Sequence, residues 1–134
     1  MSLILVRAAL ETALAAMSPA LATAWENVPF TPPVPTVPYQ AVYLIPAPPD
    51  NEEYGSAHVE QAIFQVSLFY PLKDGSGAAA ARAEALRTTF KRGATFTSSG
   101  VKVVTTRTPE VGQGTVDGDR WFLPVKVRVS AYIA

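Results

Sequence analysis

Between Pro29 and Pro38 the chain carries five prolines, at positions 29, 32, 33, 35 and 38. Each fixes its own φ, lacks a backbone N–H and pushes the residue before it towards extended geometry. A helix is therefore excluded here, and residues 28–38 should form a stiff strap of about 3 Å per residue with few internal hydrogen bonds. The strap follows a polar turn, Trp25-Glu26-Asn27, and runs into an apolar stretch from Tyr39 to Ile45. Trp25, Phe30 and Tyr39 are large apolar groups at intervals along it, and such groups favour docking on a surface over exposure to solvent.

The rest of the chain must supply that surface. At 134 residues there is length for one domain, 1–134, which on folding buries roughly two thirds of the surface its unfolded chain exposes. Eleven basic residues balance eleven acidic ones, so no overall positive field advertises a nucleic-acid partner. With 49% apolar residues and no net charge, the chain is prone to self-associate. The absence of cysteine removes disulfides and thiolate chemistry.

From Ser2 to Met17 the residues Leu3, Val6, Leu10, Leu14 and Met17 recur at helical spacing, with Arg7 and Glu11 one turn apart on another face. Ser18-Pro19 should end this helix. Ala20-Leu-Ala could pass for a signal-peptidase site, but Arg7 and Glu11 interrupt the apolar stretch and no basic residue precedes it. An amphipathic helix packed on a sheet is the better reading, and without a run of about 18 apolar residues no membrane span is expected.

Tyr39 to Ile45 reads as a strand that is apolar on both sides, as suits a doubly covered strand or an edge that meets another protein. Residues 46–57 form an acidic, mobile loop, and His58 to Tyr70 forms a long strand whose Ala62, Phe64, Val66, Leu68 and Tyr70 face the helices. Gly77 to Arg92 is strongly helix-favouring, with Asp74 or Ser76 as its cap and Gly93 expected just beyond its end. Arg82, Arg87, Lys91 and Arg92 suit the end of a helix macrodipole, with contact to DNA the weaker reading. A polar link containing Phe96 leads to a strand over Val101–Pro109, then a mobile loop over 109–119. Asp119 to Ile133 shows the cleanest alternation in the chain, although Pro124 must sit at an edge or a bulge.

The expected architecture is thus α+β in the order α-β-β-α-β-β, a four-stranded, mainly antiparallel sheet with two helices packed on one face. The other face would carry Ile63, Phe69, Phe122 and Tyr132, and an apolar patch of that kind requires a partner.

Chemistry is hard to place on this frame. His58 is the only histidine and has no nucleophile or elbow motif to serve, so it reads as a surface residue. Asp50, Glu52 and Glu53 share a loop that preorganises nothing, and Gly112-Gln-Gly114 lacks the third glycine and following helix of a phosphate loop. Asp117-Gly118 lacks the spaced ligands of a calcium loop. No catalytic residue, metal ligand or cofactor is assigned, and nothing supports an enzyme.

A short N-terminal helix is followed by Trp-Glu-Asn-Val-Pro-Phe, a proline-rich stretch and Pro-Tyr opening an apolar strand. Further on come a central strand ending in Tyr-Pro, an Ala-rich helix closed by Phe-Lys-Arg-Gly, and a last strand opening with Asp-Arg-Trp-Phe. In this order and pattern the chain resembles the tail terminator, or tail completion, proteins of long-tailed bacteriophages and prophages. The resemblance implies a structural virion subunit that assembles into a ring, hexameric in that family. Such a ring caps the tail tube, ends its polymerisation and offers a surface for joining the head. It implies as partners other copies of the chain, the tail tube protein and a head–tail connector protein. No membrane and no sequence-specific nucleic acid is implied, and DNA passage through the ring is compatible with it. The setting would be the virion tail, and the bacterial host cytoplasm during assembly. On this view Trp25, Phe30, Tyr39 and Tyr43 are candidates for the subunit interface, and Asp50, Glu52, Glu53, Gln113 and Asp117 for contacts with the tube or lumen. A tail tube or connector subunit fits the same size and composition, and a small domain that binds a hydrophobic ligand fits the same helix-on-sheet pattern.

Overall fold

A computed structural model describes residues 2–18, 20–51, 55, 57–73 and 75–133. Its helices are α1, Ser2–Ala15, and α2, Gly77–Thr89, and its strands are β1, Ala22–Ala24; β2, Tyr39–Asp50; β3, His58–Pro71; β4, Thr95–Ser98; β5, Val101–Thr105; β6, Glu110–Val111; β7, Thr115–Asp117; and β8, Arg120–Ile133. The strands form one curled, half-barrel sheet of mixed direction in the order β1-β2-β3-β8-β5-β4, with β6 and β7 also paired to β8. The expected four-stranded sheet is therefore wrong, although the α+β class is right. The extra strands β1, β4, β6 and β7 are two to four residues long, too short for an alternation to show in sequence.

β3 and β8 form the spine, paired antiparallel along their whole length from His58↔Ile133 to Pro71↔Arg120. The other edge of β8 is long, and three short strands share it in succession: β5 opposite Val129–Ala131, β6 opposite Val125–Lys126 and β7 opposite Arg120–Phe122. The stretch read as a loop over 109–119 thus contributes two strands to the sheet. Pro124 explains its interruption. Its carbonyl accepts from Gly112 N–H at 2.8 Å, so its missing donor faces the same side, between the end of β6 and the start of β7. Gly112 and Gly114 also lie too close to β8 for a side chain, because an added Cβ would come within 2.7 Å of the Pro124 ring and 2.3 Å of the Trp121 ring.

One face of the sheet and the two helices enclose the core. Val6, Leu10, Leu14 and Met17 of the α1 side meet Ala79, Ala83 and Leu86 of α2 over Val42, Leu44, Phe64, Val66, Leu68, Leu123, Val125 and Val127. Phe90 and Phe96 extend this core beyond α2, Phe90 lying 5.8 Å from Phe64 and 5.2 Å from Phe96. Burial of Phe90 turns the chain inward, so α2 stops at Thr89, and Lys91 and Arg92 fall outside its last turn. Ser76 is its N-cap without a side-chain bond, and Asp74 lies outside the described residues. Phe96 belongs to β4, which turns into β5 through Ser99 and Gly100, both at positive φ as a two-residue hairpin turn requires.

The N-terminal edge is built differently. β1 pairs parallel with the first three residues of β2, so residues 25–38 cross from one strand to its neighbour. Beyond that pairing β2 continues unaccompanied on its outer side. Leu44 N–H points outward there, to the Glu26 carboxylate, and alternation sends position 46 the same way, where a proline has no N–H to offer. Pro48 and Pro49 follow. This explains how β2 runs on through three prolines to Asp50, past Ile45 where the strand was expected to end.

Candidate functional site

The face of the sheet away from the helices is ordered by strand register. Tyr39, Phe69 and Phe122 stand side by side on β2, β3 and β8, followed along the strands by Ala41, Ser67 and Pro124, then Tyr43, Gln65 and Lys126, then Ile45, Ile63 and Arg128. The first row is a continuous aromatic stack. Tyr39 lies 4.7 Å from Phe69 and nearly parallel to it, and Phe69 lies 5.2 Å from Phe122 in a tilted arrangement. Phe30 of the strap closes on Tyr39 at 5.4 Å. Ala41 and Ser67 are buried, whereas Tyr43 and Ile45 are 45% and 44% exposed, so the face passes from covered to open along β2.

The covering is fixed by a buried cation. Arg120 opens β8 on this face and is only 4% exposed. Its guanidinium donates to the carbonyls of Pro33 at 2.6 Å, Val34 at 3.0 Å and Val37, and lies 4.8 Å from the centre of the Tyr39 ring. A planar fork of donors suits three carbonyls converging from one turn, which closes through Val37 N–H to Val34 O at 2.9 Å. Burial pushes the Tyr39 hydroxyl above its ordinary pKa; Arg120 opposes this, while Asp117, Asp119 and Tyr43 add to it, so the ring stays a neutral phenol.

The start of the strap is held separately. Glu26 accepts from Arg7 of α1 at 2.8 Å and from Leu44 N–H. Burial pushes the Glu26 carboxyl up, but these two bonds and the Arg7 charge outweigh it and leave it below the ordinary carboxylate value. Burial raises the neighbouring Glu11 carboxyl, Arg7 pulls it down and Glu26 raises it further, leaving it above the ordinary value.

On the helix face Trp121 is the counterpart of Arg120. It lines a hollow of about 430 Å³ together with Pro71, Leu72, Lys73, Gly75, Ser76 and Val116. A second hollow continues from Ser76 and Trp121 along α2, past Ala80 and Ala83, towards Val111 and Gly114.

Of the candidate interface residues, Phe30, Tyr39 and Tyr43 come together on the outer face, whereas Trp25 packs against the core on the helix side. None of Trp25, Phe30 and Tyr39 is fully enclosed. The candidates for tube or lumen contacts are not brought together. Asp50 pairs with Val59 near the end of β8 at Tyr132, and its side chain, like Glu52 and Glu53, lies outside the described residues. Gln113 and Asp117 are exposed near Arg120, at the opposite end of β8, roughly 40 Å away at strand rise. His58 lies 2.9 Å from Glu60 in a half-buried pair. Among the described residues no group of three or more His, Cys, Asp or Glu could hold a metal, and no helix is long and apolar enough to cross a membrane. Arg120 gives no advance signal of its role, since its three acceptors are 83 to 87 residues away in sequence.

Comparison with known proteins gives the fold a context. One solved structure, whose name states no function, is similar over 100% of this chain and 98% of its own, with a TM-score of 0.81 and 29% identity. No curated protein matches. The family model of the phage tail terminator protein matches residues 5–129, which takes in both helices, the strap and nearly all of the sheet. The chain belongs to the phage tail terminator family, and so to the structural proteins of the phage tail.

Proposed function

We propose that this subunit assembles with copies of itself into a closed ring at the end of the tail tube, where it stops tube polymerisation and presents a surface for joining the head. The observation that carries this reading is the outer sheet face. Beyond the part of it that the strap covers, Tyr43 and Ile45 stay exposed at the middle of a strand. Large apolar side chains exposed together in this way suit a partner. A ring needs a heterologous contact whose rotation closes, and Phe30, Tyr39 and Tyr43 form one side of it, with Trp25 bracing the strap from the core side.

The two ends of the sheet suit two neighbours. The first is assigned to the β2–β3 connection, whose sequence holds Asp50, Glu52 and Glu53, and the second to the β6–β7 end with Gln113 and Asp117. In this arrangement the tail tube and the head–tail connector engage opposite rims. The ring forms in the host cytoplasm before the virion is complete, its central opening leaves room for DNA, and the subunit itself carries out no catalysis.

The test is light scattering with negative-stain imaging of the full chain across a concentration series. Rings that disperse in Tyr43→Glu and persist in His58→Ala support the reading. Long polymers would assign a tube subunit instead, and a monomer at every concentration, with or without added tube protein, would refute self-assembly.

A further inference from the structure

The strap presents a turn whose backbone is held to its own subunit but whose apolar side chains are not covered by it. Val34 and Val37, at its two ends, are 64% and 44% exposed, and Pro35 and Thr36 between them are exposed as well. A cation that is itself 4% exposed nevertheless holds three carbonyls of this turn and its approach. Holding the turn in one shape goes with the burial of Arg120, leaves the two valine side chains outside, and lowers the entropy lost when the turn is inserted elsewhere.

A receptor for such a turn lies one residue along β8. Arg120 holds the turn on the outer face, and Trp121, pointing through to the other face, lines the apolar hollow. Pro71, Leu72 and Val116 form its apolar wall, Val116 is 64% exposed, and Lys73 is its one ionisable lining residue among those described. Proline-rich segments are received in other proteins by aromatic-lined grooves, and here Trp121 supplies the aromatic side chain of the lining. The two halves sit on opposite faces at the same end of one sheet, so each copy can give its turn to one neighbour and take the turn of another. That is the relation a head-to-tail ring needs, whereas an unrelated partner would need only one half.

We infer that the Val34–Val37 turn of one subunit inserts into the Trp121 hollow of the next, and that this contact sets the direction of assembly. The inference rests on the self-assembly proposed above and adds the mating surfaces.

It is tested with Val34→Glu, which spoils the turn, and Val116→Glu, which spoils the hollow; both positions are exposed, and Val37→Glu and Leu72→Glu repeat the two arms in case one variant misfolds. Each variant alone should need about tenfold or more protein than wild type to assemble. An equimolar mixture of Val34→Glu and Val116→Glu should give a heterodimer and nothing larger, because only one intact turn and one intact hollow remain to pair. Wild type that assembles alongside variants that assemble equally well would overturn this inference and leave the ring standing. A mixture that stays monomeric would show that the two sites are not each other's partners. Wild type that never assembles would remove both readings.

Discussion

Replacing Arg120 isolates what holds the strap on the sheet. Bonds from a charged donor contribute about 1.5–3 kcal/mol each, and the stacking on Tyr39 adds about 0.5–2 kcal/mol. Simple addition overstates the loss. Val34 and Val37 are exposed, so water can resupply their carbonyls, and removing the guanidinium also removes the cost of its burial. Arg120→Met should therefore lose about 2–4 kcal/mol, roughly 6–12 °C in Tm for a chain of this size. Arg120→Lys keeps the charge but offers a single compact donor group, which cannot reach three separated carbonyls, and should recover less than half of that loss. Urea unfolding should be followed at one low protein concentration, because self-association raises apparent stability by mass action. Values for both variants within about 0.5 kcal/mol of wild type, inside ordinary surface variation, would refute the view that this cation secures the strap.

Three further outcomes follow from the same geometry. Gly114→Ala puts a methyl group into the Trp121 ring and should cost about 1–3 kcal/mol in thermal unfolding, whereas Gly77→Ala, in open space within α2, should be neutral or stabilising. Leu10→Ala, at a fully buried position of α1, should lose about 2–5 kcal/mol in the same assay. Because the Glu26 carboxyl lies below its ordinary value of about 4.5, its contribution is complete above that pH and lost as pH falls through the folded value. The stability gap between wild type and Glu26→Gln should then narrow on acidification below pH 4.5, and a gap that widens would contradict the assignment. Glu11, shifted upward in part by the Glu26 charge, works in the opposite sense, and because Glu26→Gln removes that part it offsets a fraction of the narrowing.

The parts of this fold that announce themselves in sequence are those whose pattern is long enough to repeat. Alternation over thirteen or more residues identifies β3 and β8, and the spacing of Val6, Leu10, Leu14 and Met17 identifies α1 and its buried side. β1 and β7, three residues each, are strands only because β2 and β8 offer them an edge, and nothing local distinguishes them from loop. Pro46, Pro48 and Pro49 mislead for a related reason: proline argues against a strand only where its N–H is needed, and the outer side of β2 does not need it. In the strap, aromatic spacing points correctly to docking for Phe30 and Tyr39. It cannot show that Trp25, directly after β1, turns to the core instead. The Arg120 fork is a tertiary feature throughout, assembled from a turn and a strand that meet only in the folded chain.

The outer side of β2 has a bearing on how copies of this protein behave when crowded. A lone strand margin with free amides is where neighbouring chains stack into endless ribbons, a dead end for any particle that must be built with a fixed number of parts. Glu26 occupies the amide of Leu44, and prolines at 46, 48 and 49 leave no further donor until Asp50, so that route to runaway growth is closed. What this side of β2 still offers is the shapes of its side chains, which, unlike a row of amides, can specify an angle.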